Sequence, residues 1–261
     1  MVTLQSSPAW AQDPAPVVVV TGGLDVTNQY NFRGIRQNTE GVSIWPYVDF
    51  GFTPFRGDGG LKSVGVNVGS WNAFHSQINE DDFGTDNKWY ESDFYGTIGF
   101  GFSKGSLGVT YTSYTSPADL FAHVKELAVK LSFDDSAALG RGALKPYALL
   151  AFELSDDGQA DAGDEKGKYL ELGVVPGYAG ARASLAVPIK LGLSAGDYYE
   201  FATGEDETFG YFSIGGVVTV PLGAHANIHF SGEFQKFGDT VSDYNGQDSA
   251  GLVLAGLGFA F

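Results

Sequence analysis

Gly251–Phe261, GLVLAGLGFAF, is the stretch whose reading decides the fold. Counting back by twos from Phe259 gives Leu257, Ala255 and Val253, all apolar, which is the period-two pattern of a β-strand with one apolar face. The chain stops on Phe261, whereas termini are usually frayed and polar. A strand of this kind fits a lipid-facing barrel wall or the last strand of a soluble β-sandwich, and the remaining strands have to choose between the two.

The same alternation runs through the rest of the chain. In 17–32, Val18, Val20, Leu24, Val26, Tyr30 and Phe32 share one face, and Thr21, Asp25, Thr27, Gln29 and Asn31 share the other, with Arg33 following in phase. In 42–52, Val42, Ile44, Val48, Phe50 and Phe52 oppose Ser43, Trp45, Tyr47 and Asp49. Strands over 61–71 and 89–102 alternate likewise, and further candidates centre on Val109, Val129, Leu150, Leu172, Val187, Val218 and Phe230. With the terminal strand the total is about 12, an even number, as single-chain bacterial barrels require. Long acidic connections (72–87, 155–167, 194–208) alternate with short turns at Ser103-Lys104-Gly105, Gly180-Ala181 and Gly223-Ala224. Barrels with long outer loops and short periplasmic turns show that alternation. The expected fold is therefore all-β: a transmembrane antiparallel up-and-down β-barrel of about 12 strands over residues 16–261. Pro46, Pro146, Pro176 and Pro188 fall inside the predicted strands. Since proline cannot donate to a ladder, Pro188 near mid-strand requires a bulge or a break.

Composition narrows the function classes. The chain has no run of eighteen apolar residues, so no transmembrane helix is expected. Its mean hydropathy of −0.05 would suit a soluble protein, but alternation hides a barrel's apolar surface. A net charge of −16 repels nucleic acid and removes that partner class. The chain has no cysteine, so no disulfide framework is expected. Ala9-Trp10-Ala11 before Gln12 fits the small-x-small end of a secretory signal, so residues 1–15 are expected to be a signal remnant or a disordered tail.

The terminal strand resembles the last strand of bacterial outer-membrane β-barrels, in which a C-terminal Phe serves export and assembly. Asp25–Phe52, DVTNQYNFRGIRQNTEGVSIWPYVDFGF, resembles an uncharacterised proteobacterial outer-membrane β-barrel family whose members open with a strand close to Y-x-F-R-G-x-S-Q. The matching residues are Tyr30, Phe32, Arg33, Gly34, Ile35 and Gln37, and Arg36 stands where that family often has Ser or Thr. The resemblance implies a bacterial outer-membrane location with both termini periplasmic. It also implies contact with outer-membrane lipid and lipopolysaccharide, and recognition of Phe261 by the barrel-assembly machinery. It implies no particular activity, and a homo-oligomer stays open.

Charges at membrane depth belong in a lumen, where water or a partner reaches them. The inward face is expected to carry Asp25, Arg33, Asp49, Glu91, Asp93, Glu126, Lys130, Lys145, Glu153, Glu171, Lys190 and Glu233. Acids outnumber bases two to one, which points to a narrow, porin-like, cation-preferring channel or binder for small hydrophilic solutes. The alternative is a structural or surface-lattice barrel whose lumen is plugged by these same side chains. Arg33 and Arg36 could meet a solute or lipopolysaccharide anion, or pair with a lumen or loop carboxylate. No cofactor is expected. Asn79-Glu80-Asp81-Asp82 and Asp156-Asp157-Gly158 lack EF-hand spacing, so loose Ca²⁺ bridging is the most they suggest. An enzyme is not expected: of the histidines, only His229 falls on the inward face, two residues from Ser231, and that spacing is about 7 Å on a strand.

Overall fold

The computed structural model describes residues 18–38, 40–78, 85–156, 158–201 and 204–261. The signal-like Ala9-Trp10-Ala11, the acidic 79–84 stretch and Asp157 lie outside the described residues. In chain order the strands are β1 (Val18–Thr27), β2 (Asn31–Phe32), β3 (Ile35–Arg36), β4 (Ser43–Arg56), β5 (Leu61–His75), β6 (Trp89–Phe102), β7 (Gly105–Thr115) and β8 (Val124–Phe133). They continue as β9 (Tyr147–Glu153), β10 (Lys168–Val174), β11 (Gly177–Ala179), β12 (Ser184–Ala186), β13 (Ile189–Gly196), β14 (Phe209–Leu222), β15 (Ala226–Phe237) and β16 (Ser249–Ala260).

The wall is a closed antiparallel barrel of 12 strands. Each wall strand pairs with its neighbours in sequence, and the predicted terminal strand closes the circle. β16 pairs with β15 on one side and with β1 on the other, from Thr21 opposite Ala260 to Thr27 opposite Leu254. Phe261 extends the seam: its N–H donates to the Val20 carbonyl at 2.9 Å, and its carbonyl accepts from Val20 N–H at 2.9 Å. Closure leaves no free edge, so every wall strand has two partners.

Two wall strands are interrupted, and the interruptions answer the proline question. β10 and β11 are one strand broken at Val175-Pro176; β12 and β13 are one strand broken at Val187-Pro188. The breaks lie side by side, with Val187 N–H donating to the Pro176 carbonyl at 2.8 Å. Each proline lacks the N–H a continuous ladder would use, so the ladder lapses in both strands at one level. Pro146 precedes β9. Pro46 sits where the β4–β5 register passes from Ile44 opposite Phe74 to Tyr47 opposite Trp71.

Sidedness separates a barrel from a sandwich. Large apolar residues of the wall are exposed: Phe94 is 62% accessible, Val253 61% and Leu131 58%. The alternate residues are polar and buried, among them Glu126 at 3%, Glu171 at 4% and Glu91 at 5%. A water-soluble sandwich would reverse this, burying its apolar faces against each other. Here the apolar face is turned outward all round, as hydrocarbon surroundings demand. Among the described residues no helix is long and apolar enough to cross a membrane; the strands would do the crossing.

One rim holds Val18, the end of β16, the β4–β5, β6–β7, β11–β12 and β14–β15 turns and the β8–β9 connection over 134–146; the β3–β4, β5–β6, β7–β8, β9–β10, β13–β14 and β15–β16 connections gather at the other, the rim of long connections. The first expected strand, 17–32, needs correction. β1 stops at Thr27, and the chain turns into the barrel as the hairpin β2–β3, a separate two-stranded sheet. Tyr30 and Phe32, read as wall residues by their alternation, are buried inside at 4% and 9% accessibility.

Candidate functional site

Local geometry makes the inward hairpin. Phe32 pairs with Ile35 and Asn31 with Arg36, leaving Arg33-Gly34 as a two-residue turn with φ of 51° and 88°. Both central residues at positive φ define the tight turn whose twist suits a hairpin. Gly34 adopts that conformation readily; Arg33 does so against the preference of an L-residue. The cost is offset by what the Arg33 side chain reaches. Its two terminal nitrogens donate to both carboxylate oxygens of Glu126 on β8, at 2.6 and 2.8 Å. Its guanidinium carbon lies 4.2 Å from the ring centre of Tyr169, with Phe32 and Tyr198 at 4.9 and 5.3 Å. A planar fork among rings, satisfied by a bidentate carboxylate, is a geometry lysine cannot reproduce.

The hairpin crosses the lumen between two aromatic clusters. On one side Tyr30 packs on Trp45 and Trp71 with ring centres 5.2 and 5.4 Å apart, and Phe32 meets Tyr114 at 5.4 Å. On the other side Ile35 joins Tyr169, Tyr198, Tyr199, Tyr211, Phe237 and Val241. Asn31 donates to the Gln235 side chain on β15 at 2.8 Å, so the hairpin is bonded to strands on well-separated parts of the wall.

Neighbouring connections hold the hairpin in place. Tyr199 Oη donates to the Arg33 carbonyl at 2.9 Å, and Tyr198 Oη accepts from Arg33 at 2.8 Å. Burial pushes both phenols well above the ordinary tyrosine range, so they remain neutral hydrogen-bonding groups. Asn245, at the end of the short helix Asp239–Asn245, donates to the Gly34 carbonyl at 2.8 Å and accepts from Arg36 N–H at 2.9 Å. Asp161 accepts from the amides of Glu200 and Phe201, both at 2.9 Å, which fastens the β9–β10 connection to the β13–β14 connection. Burial raises the Asp161 carboxyl, and those amides oppose the rise.

Ten of the expected lumen charges lie on wall strands and share the inward face: Asp25, Asp49, Glu91, Asp93, Glu126, Lys130, Glu153, Glu171, Lys190 and Glu233. Registers place them on it, for example Asp25 opposite Gly256, Glu126 opposite Glu153, and Glu171 opposite Gly192. Arg33 reaches the lumen from the hairpin. Lys145 does not: it lies in the β8–β9 connection at φ 50°, exposed at the rim that holds the end of β16. Part of the charge is paired. Lys190 meets Glu233 at 2.9 Å, and Lys130 Nζ sits 4.2 Å over the Tyr147 ring. Glu171 accepts from Tyr147, Tyr169 and Tyr211 hydroxyls at 2.7, 2.7 and 3.0 Å. Asp49 accepts from Tyr95 Oη at 2.7 Å, and Glu153 from the amides of Ala160 and Gly167 at 2.6 and 2.8 Å. Asp49, Glu91, Asp93 and Glu153 have no basic partner within ion-pair distance among the described residues, so the lining keeps an acidic excess.

Arg36 binds main-chain carbonyls of Asn38 and Asn245 at 3.1 and 3.2 Å. The pairing of Arg33 with a lumen carboxylate is one of the two alternatives its sequence position allowed. His229 is not the sole inward histidine, because His75 is also buried inside, stacked on Tyr90; His229 Nε2 meets Asp25 at 2.9 Å and its Nδ1 meets Asn227 at 3.1 Å, not Ser231. Sequence reasoning missed two Ser–His pairs: Ser43–His75, at 3.1 Å and buried on the inward face of β4 and β5, and Ser113–His123, at 2.7 Å on the outer face, with Ser113 on β7 and His123 just before β8. Among the described residues no carboxylate or amide side chain holds the other ring nitrogen of either histidine, so both pairs lack the orienting partner that nucleophilic catalysis uses. Among the described residues no three metal-ligating side chains come together.

The aromatic clusters were also missed. Tyr198, Tyr199 and Phe201 sit in a connection that reads as acidic and solvated, and only the local run Tyr-Tyr-Glu-Phe signals that part of it turns inward. At the rim of long connections a cavity of about 960 Å³ opens between the hairpin, the β7–β8 connection and the β9–β10 connection.

No known family profile matches the chain, and no curated protein sequence matches it. Solved structures do. An outer membrane channel from Pseudomonas putida F1 superposes with a TM-score of 0.57 at 10% identity, covering 96% of this chain and 100% of that one. A bacterial polysaccharide outer membrane secretin gives 0.51 at 8% identity, covering 95% and 99%. The outer membrane phospholipase A of Escherichia coli gives 0.49 at 12% identity, covering 92% of each. At these identities the likeness is one of fold, and the fold is that of the bacterial outer-membrane β-barrels.

Proposed function

We propose that this chain is an outer-membrane channel for small hydrophilic solutes, narrow and cation-preferring, that rests with its β2–β3 hairpin across the lumen. The observation that carries the reading is the charge of the inward wall. Eight carboxylates (Asp25, Asp49, Glu91, Asp93, Glu126, Glu153, Glu171 and Glu233) face three permanent cations, Arg33, Lys130 and Lys190. A net-acidic lining concentrates cations and repels anions in a confined, weakly screened space. Catalysis is not part of this reading. The chain ends, Phe261 among them, lie on the periplasmic side for the assembly machinery, and the longer connections face outward toward lipopolysaccharide. There the acidic segments bridge divalent cations only loosely.

The hairpin also favours a second reading. A lumen crossed by packed aromatics is what a structural barrel would have, with surface contacts as its task. Planar-bilayer recording on the full chain, folded in detergent, separates the two. Steady openings with a cation-selective reversal potential are expected. Absence of openings over a wide voltage range would overturn the channel reading in favour of the structural one.

A further inference from the structure

The cavity at the rim of long connections joins two of the wall charges to a set of aromatic rings. It runs from the rim down to Glu126. Its walls include the rings of Tyr30, Tyr90, Tyr114 and Phe121 and the carboxylates of Glu91 and Glu126. Its volume of about 960 Å³ suits a small-molecule site.

We propose that this cavity binds a small organic cation, a primary ammonium or guanidinium carried on a short hydrocarbon chain. The proposal deepens the channel reading, on which it rests, by naming the class of solute. Three observations favour that class. The first is the precedent within the barrel itself. Phe32 and Glu126, which line the cavity, are the same ring and carboxylate that already hold the Arg33 guanidinium. A ligand with that head group meets chemistry the protein demonstrably accommodates.

The second is charge. Glu40, Glu91 and Glu126 line the cavity. The two cations on its wall are engaged with the main chain: Lys88 donates to the Ser76 carbonyl at 2.7 Å, and Arg36 to those of Asn38 and Asn245. Glu126 is paired with Arg33, but Glu40 and Glu91 have no basic partner within ion-pair distance among the described residues, and an anion would meet them. The third is the rings. A bare metal ion would need six to eight oxygens, and no cluster of three ligating side chains exists among the described residues. Aromatic faces attract an organic cation, whose hydrocarbon chain also gains from leaving water.

Because the cavity ends at Glu126, an occupant competes with Arg33 for one carboxylate.

The test is isothermal titration of the full chain, folded in detergent, with agmatine, glucose and glutarate as cationic, neutral and anionic probes. Saturable binding is expected for agmatine alone. Phe121→Leu, in a connection outside the wall, should weaken it about fivefold, and Glu91→Gln about tenfold or more; Lys236→Gln, on the outer surface, should leave it unchanged. Should agmatine fail to saturate, or glucose or glutarate bind as well as it does, or both lining variants bind as the parent does, the proposal is overturned. Bilayer recording keeps the two ideas apart. Cation-selective openings with a flat agmatine isotherm would remove this site and leave the channel; a saturable isotherm with a silent bilayer would do the reverse.

Discussion

Arg33 is held where L-residues seldom sit, at φ 51°, and its side chain is nearly inaccessible in a lumen. Both features carry a cost that only a strong, specific partner offsets. Glu126 supplies it through both oxygens, and removing one member of a buried ion pair costs about 3–5 kcal/mol because the other charge is left without its counter-ion. The hairpin belongs to no wall strand, so its displacement would leave the wall ladder intact and admit water to Glu126. Arg33→Ala is therefore expected to keep the barrel folded, as judged by heat-modifiable gel mobility, while raising single-channel conductance. Arg33→Lys should behave like the alanine variant, since one ammonium cannot bridge two oxygens and lie among the Tyr169, Phe32 and Tyr198 rings. Unchanged conductance in both variants would show that the Arg33–Glu126 pair does not hold the lumen shut.

At the scale of elements, the hairpin turn makes a sharper test than its side chains. A Cβ built on Gly34 comes within 3.1–3.2 Å of Tyr211, a buried residue whose hydroxyl is engaged with Glu171. Its φ of 88° adds about 1 kcal/mol against any L-residue. Gly34→Ala should therefore displace the hairpin without touching the wall, giving larger openings from a barrel of normal gel mobility; parental openings would mean the turn tolerates the methyl in place. This element also shows where sequence patterning stopped being informative. Wall strands such as β6 and β15 were legible because lipid on one side and lumen on the other impose a strict period of two. Tyr30 and Phe32 kept that period by coincidence, since a lumen filled with aromatics rewards the same residue types as a lipid-facing wall. Only Gly34 flagged a turn, and Arg in the first turn position gave no hint of positive φ. Lys145 failed for a related reason: Pro146 beside it ended the ladder, so its phase no longer reported a face. Pro188 reads as irregular from its mid-strand position, but that its break lies beside a second one at Pro176 follows only from the β10–β13 and β11–β12 registers.

For the molecule as a whole, closure turns a local alternation into a global separation of environments, and the lumen's field follows from which charges end up inside. At neutral pH the lining has eight carboxylates against Arg33, Lys130 and Lys190. Protonation removes a carboxylate's charge as pH falls, whereas Arg and Lys keep theirs. The sign of the lining should therefore change from acidic to basic on acidification, and the selectivity should change with it. In a potassium chloride gradient, the reversal potential is expected to sit on the cation side under alkaline conditions and to cross to the anion side as the pH is lowered. The effect should shrink at about 1 M salt, where the screening length falls to about 3 Å. Charge on the exposed connections would be screened at both ends of a moderate gradient, so a pH-driven reversal that survives about 0.1 M salt has to originate in the confined wall. A reversal potential that stays fixed across the acid range would mean that permeating ions do not pass this lining, and the acidic lumen would then be a feature of assembly and not of transport.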